Sequence, residues 1–214
     1  MELIIKLIWC YLVGSISGSM IAGKFKGVDI RKMGSGNAGG TNAFRTMGTQ
    51  FALVVLFIDV IKGFIAVHFI SILSLERFLP NSNINSEILS IICGCGAVLG
   101  HVYPLFYNFK GGKGAGTMMG VLLALFPKGL AICLLFWVIS LIITGYVGFS
   151  TIIASIILPI STALYYKGGL ITAFGIFTII IVIFIIFTHR RNIIRMMDGN
   201  ENRFEKAMIF RKKT

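Results

Sequence analysis

Charge is what this chain has little of. Asp, Glu, Lys and Arg make up 13% of its 214 residues, against about a quarter in a soluble domain. Only 8 of its residues are acidic and 3 are histidine, none of them clustered. That set does not supply the grouped ligands of a metal centre, and no metal site is expected. The 4 cysteines, Cys10, Cys93, Cys95 and Cys133, all lie in apolar stretches. The spacing of Cys93 and Cys95 is neither CxxC nor a zinc pattern, so they read as small buried hydrophobes. The apolar N-terminus shows no basic start and no small-residue cleavage site, which predicts a retained transmembrane helix, not a removed signal peptide. A serine elbow, an HExxH pair and the kinase set are also missing, and no cofactor is expected.

Apolar residues are abundant instead. They make up 56% of the chain and the mean hydropathy is +0.88. The long uncharged runs exclude a soluble core and predict an all-α integral membrane protein, one domain over residues 1–214, with about seven spans. These are 3–22, 51–75, 88–106, 114–126, 130–144, 149–165 and 170–188. The first carries Gly14, Ser15, Ser17, Gly18 and Ser19, suited to close helix packing. The second contains Asp59 and Lys62, three apart and so on neighbouring helix faces, where a charge inside a span faces a partner, a cavity or a site. The fourth has 13 residues, about 20 Å of helix, and is expected to be short or partly submerged. Pro127-Lys128-Gly129 ends it, Gly145-Tyr146-Val147-Gly148 separates the fifth and sixth, and Pro159 interrupts the sixth in character. A polar loop over 76–87 holds Pro80.

Net charge is +12. Beside membrane-length runs, that charge points to orientation and to anionic phosphate ligands, not to nucleic acid. With seven spans, one face receives Lys24, Lys26, Arg31, Lys32, Arg45, Lys110, Lys113, Arg190, Arg191, Arg195, Arg203, Lys206, Arg211, Lys212 and Lys213. The other receives only Lys6, Arg77, Lys128 and Lys167. The rich face is therefore expected to be cytoplasmic, with the N-terminus outside and the C-terminus inside.

Three polar, basic islands fall on that face. The first, 29–45, contains Gly34-x-Gly36-x-x-Gly39. A dinucleotide fingerprint needs a preceding strand in a βαβ unit, and here it lies between membrane spans. The second is Phe109-Lys110-Gly111-Gly112-Lys113-Gly114. Lys113 precedes Gly114, not Ser or Thr, so a P-loop is excluded. Glycines and a lysine entering a helix still offer N–H groups to an anion, the bland reading being a flexible basic loop. The third is Thr188-His189-Arg190-Arg191-Asn192. His189 reads equally as a base and as a membrane-edge anchor, while His68 and His101 read as structural donors. Asp59 and Lys62 read as a buried structural pair.

These islands, with His101 leading the second and Asp59-x-x-Lys62-Gly63 in a span, closely resemble the motifs of the bacterial acyl-phosphate:glycerol-3-phosphate acyltransferases. The matching stretches are 29–45, 100–117 and 189–201. The resemblance implies a multi-pass enzyme of phospholipid synthesis in the bacterial cell membrane, its active site toward the cytoplasm. It moves an acyl group from acyl phosphate to glycerol 3-phosphate and releases phosphate. On that basis Lys113, with the backbone of Gly111 and Gly112, is expected to hold one phosphate. Ser35, Gly36, Asn37, Thr41, Asn42 and Arg45 are expected at the other phosphate or the acyl carbonyl, Ser35 by hydrogen bonding and not as an acylated nucleophile. His189 and Asn192 orient the glycerol hydroxyl, His189 or the leaving phosphate taking its proton, and His101 joins the substrate contacts. The partners are the two substrates and the bilayer; oligomeric state is left open, a monomer being compatible. Gly40 and Gly116 stand where the family has alanine, and Gly145 and Gly148 where it commonly has Arg and Ser. The alternative is a transporter or flippase for an anionic solute, which a broken helix and charges in a span also suit.

Overall fold

The computed structural model describes residues 1–75 and 84–209. Residues 76–83 of the expected polar loop, with Arg77 and Pro80, lie outside the described residues, as do 210–214 with Arg211, Lys212 and Lys213. Among the described residues every regular element is helical. The chain divides into two compact units, 1–125 and 126–214.

The first unit opens with a departure from expectation. Residues 3–22 do not form one continuous helix. They form α1 (Glu2–Gly14) and α2 (Gly18–Lys26), with 15–17 between them. The reason is tertiary: the Ile16 carbonyl accepts from Lys62 Nζ at 2.7 Å and the Gly18 N–H donates to Asp59 Oδ1 at 3.2 Å. The break frees backbone groups that the buried charges use. α3 (Gly40–Met47) follows the first island, then α4 (Thr49–Ile65), prolonged by a wider π turn over Ala66–Ile70. α5 (Ser86–Val102) is capped by the Asn85 side chain, which accepts the Glu87 N–H at 2.8 Å. α6 (Ala115–Leu125) has 11 residues.

Lipid is as apolar as leucine, so these helices need close backbone approach to pack. Glycine provides it. A Cβ on Gly14 would strike the Ala97 backbone, and one on Gly100 the Tyr11 carbonyl, which sets α1 against α5. Gly63 and Gly120 do the same between α4 and α6, at the carbonyls of Thr117 and Val60. Cys10 and Cys93 are fully buried in this packing and all four cysteines carry free thiols. Outward residues such as Leu53 and Phe57 are exposed and fit a lipid-facing surface. Lys6 is not a solvated loop charge. It is buried, paired with Glu2 at 2.6 Å and donating to the Ser71 carbonyl at 2.7 Å.

The second unit contains α7 (Pro127–Thr144), α8 (Val147–Tyr165), α9 (Ala173–Thr188) and α10 (Arg190–Met197). Pro127 stands in the first turn of α7, where its missing N–H costs nothing. α8 runs through Pro159 without a break. Phe126, Tyr166 and Phe174 form an aromatic cluster, the last two stacked at 4.4 Å. α9 and α10 meet at His189 with a bend of 53°.

By length and composition, five helical stretches are able to cross a membrane, Glu2–Lys26, Thr49–Ile70, Ser86–Tyr107, Pro127–Thr144 and Val147–Tyr165. A sixth is added if α9 and α10 form one bent span, and α6 is a shorter apolar helix. Of the seven apolar stretches read from the sequence, five lie in helical segments able to cross a membrane, 170–188 makes a sixth only together with α10, and 114–126 forms the short α6.

Candidate functional site

The first island is a loop wound around one side chain. Asn42, on α3, is 1% exposed. Its Nδ2 donates to the carbonyls of Ile30 at 3.1 Å and Met33 at 3.0 Å, and its Oδ1 accepts the Ser35 N–H at 2.9 Å. The expected substrate contact at Asn42 is therefore corrected: its amide is committed to the loop backbone. Gly34 (φ +53°) turns the chain there, and a Cβ on it would meet Asn42 Oδ1. Ser35, Gly36 and Arg45 are exposed, while Asn37 and Thr41 are half-buried. Thr41 and Arg45, one turn apart on α3, lie on one face.

A latch ties this loop to the approach of the second island. Asp29 accepts from Arg31 through both oxygens, at 3.1 Å to Nε and 2.9 Å to Nη2, and caps the short turn Ile30–Lys32 by accepting the Arg31 N–H at 3.0 Å. The side-chain bond to Arg31 holds the Asp29 carboxyl below the usual carboxylate range. Arg31 Nη1 reaches on to the Tyr107 carbonyl at 3.2 Å.

The second island folds back on the end of α5. Asn108 and Phe109 both take positive φ, at 54° and 57°. The Gly111 N–H then donates to the Val102 carbonyl at 3.2 Å and the Gly112 N–H to the His101 carbonyl at 3.1 Å. This corrects a second expectation: these two N–H groups satisfy the last carbonyls of α5 and are not available to a phosphate. Lys113 is half-buried just ahead of α6. A Cβ on Gly112 would collide with His101 Nε2 and lie 3.1 Å from the Ala38 carbonyl, so islands one and two converge over that ring.

Beneath them is a buried ionic cluster. Asp59, Lys62 and His101 are 2%, 3% and 4% exposed. Lys62 Nζ lies 3.1 Å from Asp59 Oδ1 and 2.9 Å from His101 Nδ1, and His101 Nδ1 is 3.4 Å from Asp59 Oδ1. The expected Asp59–Lys62 pair has a third member, and His101 sits under the loop.

In the second unit, His189 occupies the α9–α10 bend, 4% exposed. Its Nδ1 is 2.9 Å from the Ile185 carbonyl. A carbonyl only accepts, so Nδ1 carries a proton. Asn192, 5% exposed, donates from Nδ2 to Glu201 Oε1 at 3.0 Å, and Arg195 Nε donates to Glu201 Oε2 at 2.6 Å. Glu201 as the anchor of that motif escaped sequence reasoning, because nothing in the pattern pairs residues nine apart across a helix end. A Cβ on Gly148 would sit 2.8 Å from Asn192 Nδ2, so the departure at 148 makes room for that amide. Gly145 ends α7 at φ +74°, with Met208 Sδ 2.7 Å from where a Cβ would stand, and its carbonyl accepts the Phe204 N–H at 2.8 Å. Among the described residues no three His, Cys, Asp or Glu side chains group to hold a metal.

Chemically, the first unit offers an exposed hydroxyl and guanidinium beside a lysine-bearing glycine loop, an anion-holding surface. The second offers a buried histidine at a helix bend and a braced amide. Residues 4–199 match the sequence profile of a family described as glycerol-3-phosphate acyltransferase. The chain is 38% identical to a glycerol-3-phosphate acyltransferase of Chlorobium phaeobacteroides, with 91% of this chain and 93% of the relative covered. It is 39% identical to that of Chlorobaculum tepidum, with 92% and 94% covered. It is also similar to the crystal structure of PlsY, an integral membrane glycerol 3-phosphate acyltransferase, in its glycerol 3-phosphate form, with TM-score 0.80, 34% identity and 95% and 96% of the two chains covered. The lysophosphatidic acid form of PlsY matches with TM-score 0.78.

Proposed function

The chain belongs to the glycerol-3-phosphate acyltransferase family, and we propose that it transfers a fatty acyl group from an acyl phosphate to the 1-hydroxyl of glycerol 3-phosphate. The hydroxyl oxygen attacks the acyl carbonyl carbon, the new ester bond forms, and the bond from that carbon to the phosphate oxygen breaks. The products are 1-acyl-glycerol 3-phosphate and inorganic phosphate. Phosphate is a good leaving group, so the protein has only to align the reactants, stabilise charge and receive one proton.

The observation that carries this reading is the convergence of the two basic glycine-rich islands over His101 in one unit. Ser35, Asn37, Thr41 and Arg45, with Gly36 turning the loop, receive one phosphate or the acyl carbonyl. Lys113 holds an anionic oxygen. Asn42, Gly111 and Gly112 shape the loops by their internal bonds. Asn192 orients the glycerol hydroxyl and His189 Nε2 accepts its proton. The whole chain acts as one multi-pass domain of the bacterial cell membrane, with seven spans, the N-terminus outside, the C-terminus inside and the site facing the cytoplasm. The acyl tail lies among apolar helices while the phosphates meet the basic islands.

Purified protein supplied with palmitoyl phosphate and glycerol 3-phosphate tests this directly. Phosphate release that requires both substrates is the expected result. No release, together with anion uptake into liposomes, replaces the enzyme with a transporter. A His189→Ala variant with near-full turnover at saturating substrate assigns the proton to the departing phosphate instead.

A further inference from the structure

Lys62 has three ammonium protons and three acceptors around it. The Ile16 carbonyl is at 2.7 Å, His101 Nδ1 at 2.9 Å and Asp59 Oδ1 at 3.1 Å. A carbonyl and a carboxylate only accept, so two protons are spent on them and the third points at the ring nitrogen. A proton on His101 Nδ1 would set two donors against each other at 2.9 Å. The longer 3.4 Å approach to Asp59 does not compensate for that opposition. Charging the ring would also add a net positive charge to a buried group already balanced between Asp59 and Lys62.

From this we propose that Asp59 and Lys62 are positioning residues that fix His101 as a neutral ring with its proton on Nε2. That nitrogen is the atom facing Gly112 beside the Ala38 carbonyl, where the two islands converge. His101 then turns an N–H, not a lone pair, toward the glycine loop above it and takes no proton from substrate. The two buried histidines then differ in what each Nδ1 meets: in His101 it accepts from the Lys62 ammonium, and in His189 it donates to the Ile185 carbonyl. The consequence for catalysis rests on the acyl-transfer reading above; the tautomer assignment does not.

The test uses the full chain in detergent, labelled with nitrogen-15 at histidine, its ring signals assigned through His68→Gln and His101→Gln variants. Ring nitrogen–proton spectra at neutral pH are expected to show His101 protonated on Nε2 alone and His189 on Nδ1 alone. A proton on His101 Nδ1, or on both of its nitrogens, overturns the proposal. In Lys62→Met, the His101 signals are expected to shift while those of His189 stay in place, and KM for glycerol 3-phosphate or acyl phosphate to rise about tenfold with a smaller change in kcat. Unchanged KM values overturn the positioning role. If that variant does not fold, the wild-type spectrum alone decides the tautomer. Should the spectrum come out as expected and the two-substrate assay fail, the acyl-transfer reading falls and the assignment stands.

Discussion

Each unit braces its polar island with an arginine–carboxylate pair, and the two pairs are built differently. Asp29 and Arg31 are two residues apart, joined through both carboxylate oxygens, and about equally accessible at 25% and 26%. In the other pair Arg195 is 31% exposed but the Glu201 side chain only 1%. Water can replace either partner of the first pair. It cannot replace Arg195 at the buried face of Glu201, which also accepts from the Asn192 amide. The first pair is a latch and the second is a foundation. A buried ion pair is expensive to assemble but far more expensive to break from one side, whereas a half-exposed pair contributes little in either direction.

The proposed function sets beside these two bracing arginines a third, assigned to a substrate anion. Arg45 is exposed on α3. Replacing it with Ala is expected to lower kcat/KM by about a hundredfold or more, the cost of one donor to a developing anion, with the larger effect on turnover and the smaller on the unfolding midpoint. Arg195→Ala should do the reverse in emphasis. It leaves a buried carboxylate short of its cation and costs about 3 kcal/mol, read as a fall in the denaturation midpoint in detergent. Arg195→Met combined with Glu201→Met should recover much of that loss. If Arg195→Ala is as stable as wild type, Glu201 is not a foundation and the contrast between the units collapses.

A somewhat smaller stability loss is expected of Asn42→Ala. It leaves the Ser35 N–H without its acceptor and takes one of two donors from each of the Ile30 and Met33 carbonyls, which keep the Met33 and Gly36 N–H groups, at about 1–2 kcal/mol for the lost bonds. KM should rise with it, because Ser35 loses its place. A variant with intact stability but lost turnover would return Asn42 to the substrate contacts.

The asparagines show what the sequence reveals and what it conceals. Apolar runs, the short α6 and the glycine-rich islands were legible because they are properties of composition and spacing. Asp59 and Lys62 were legible as partners because a span leaves a charge few other options. Asn42 was not, because a polar side chain in a glycine-rich loop looks the same whether it faces substrate or its own backbone. The split of the first span was hidden for a related reason. Gly14, Ser15, Ser17 and Gly18 suit close packing equally well, and what opens the helix is Lys62, 46 residues away in sequence. The N–H groups of Gly111 and Gly112 were misassigned because their acceptors are the carbonyls of His101 and Val102, which no residue pattern encodes.

The latch itself provides the gentlest test. Asp29→Asn removes one charge from a pair that water already reaches, so the stability change at neutral pH should be about 0.5 kcal/mol. Its pH dependence is more telling than its size. Arg31 holds the folded carboxyl below the ordinary value, which is about 3.9 in an unfolded chain. The contribution is therefore fully present above about pH 4 and is lost as the pH falls through the folded value, because the unfolded state takes up its proton first. The wild-type and Asp29→Asn unfolding midpoints should differ by a constant amount from about pH 8 to pH 5 and converge below pH 4. A gap between wild type and Asp29→Asn that widens toward acid would mean that Asp29 strains the loop when charged, and that the link from Arg31 to the Tyr107 carbonyl holds the two islands together without it.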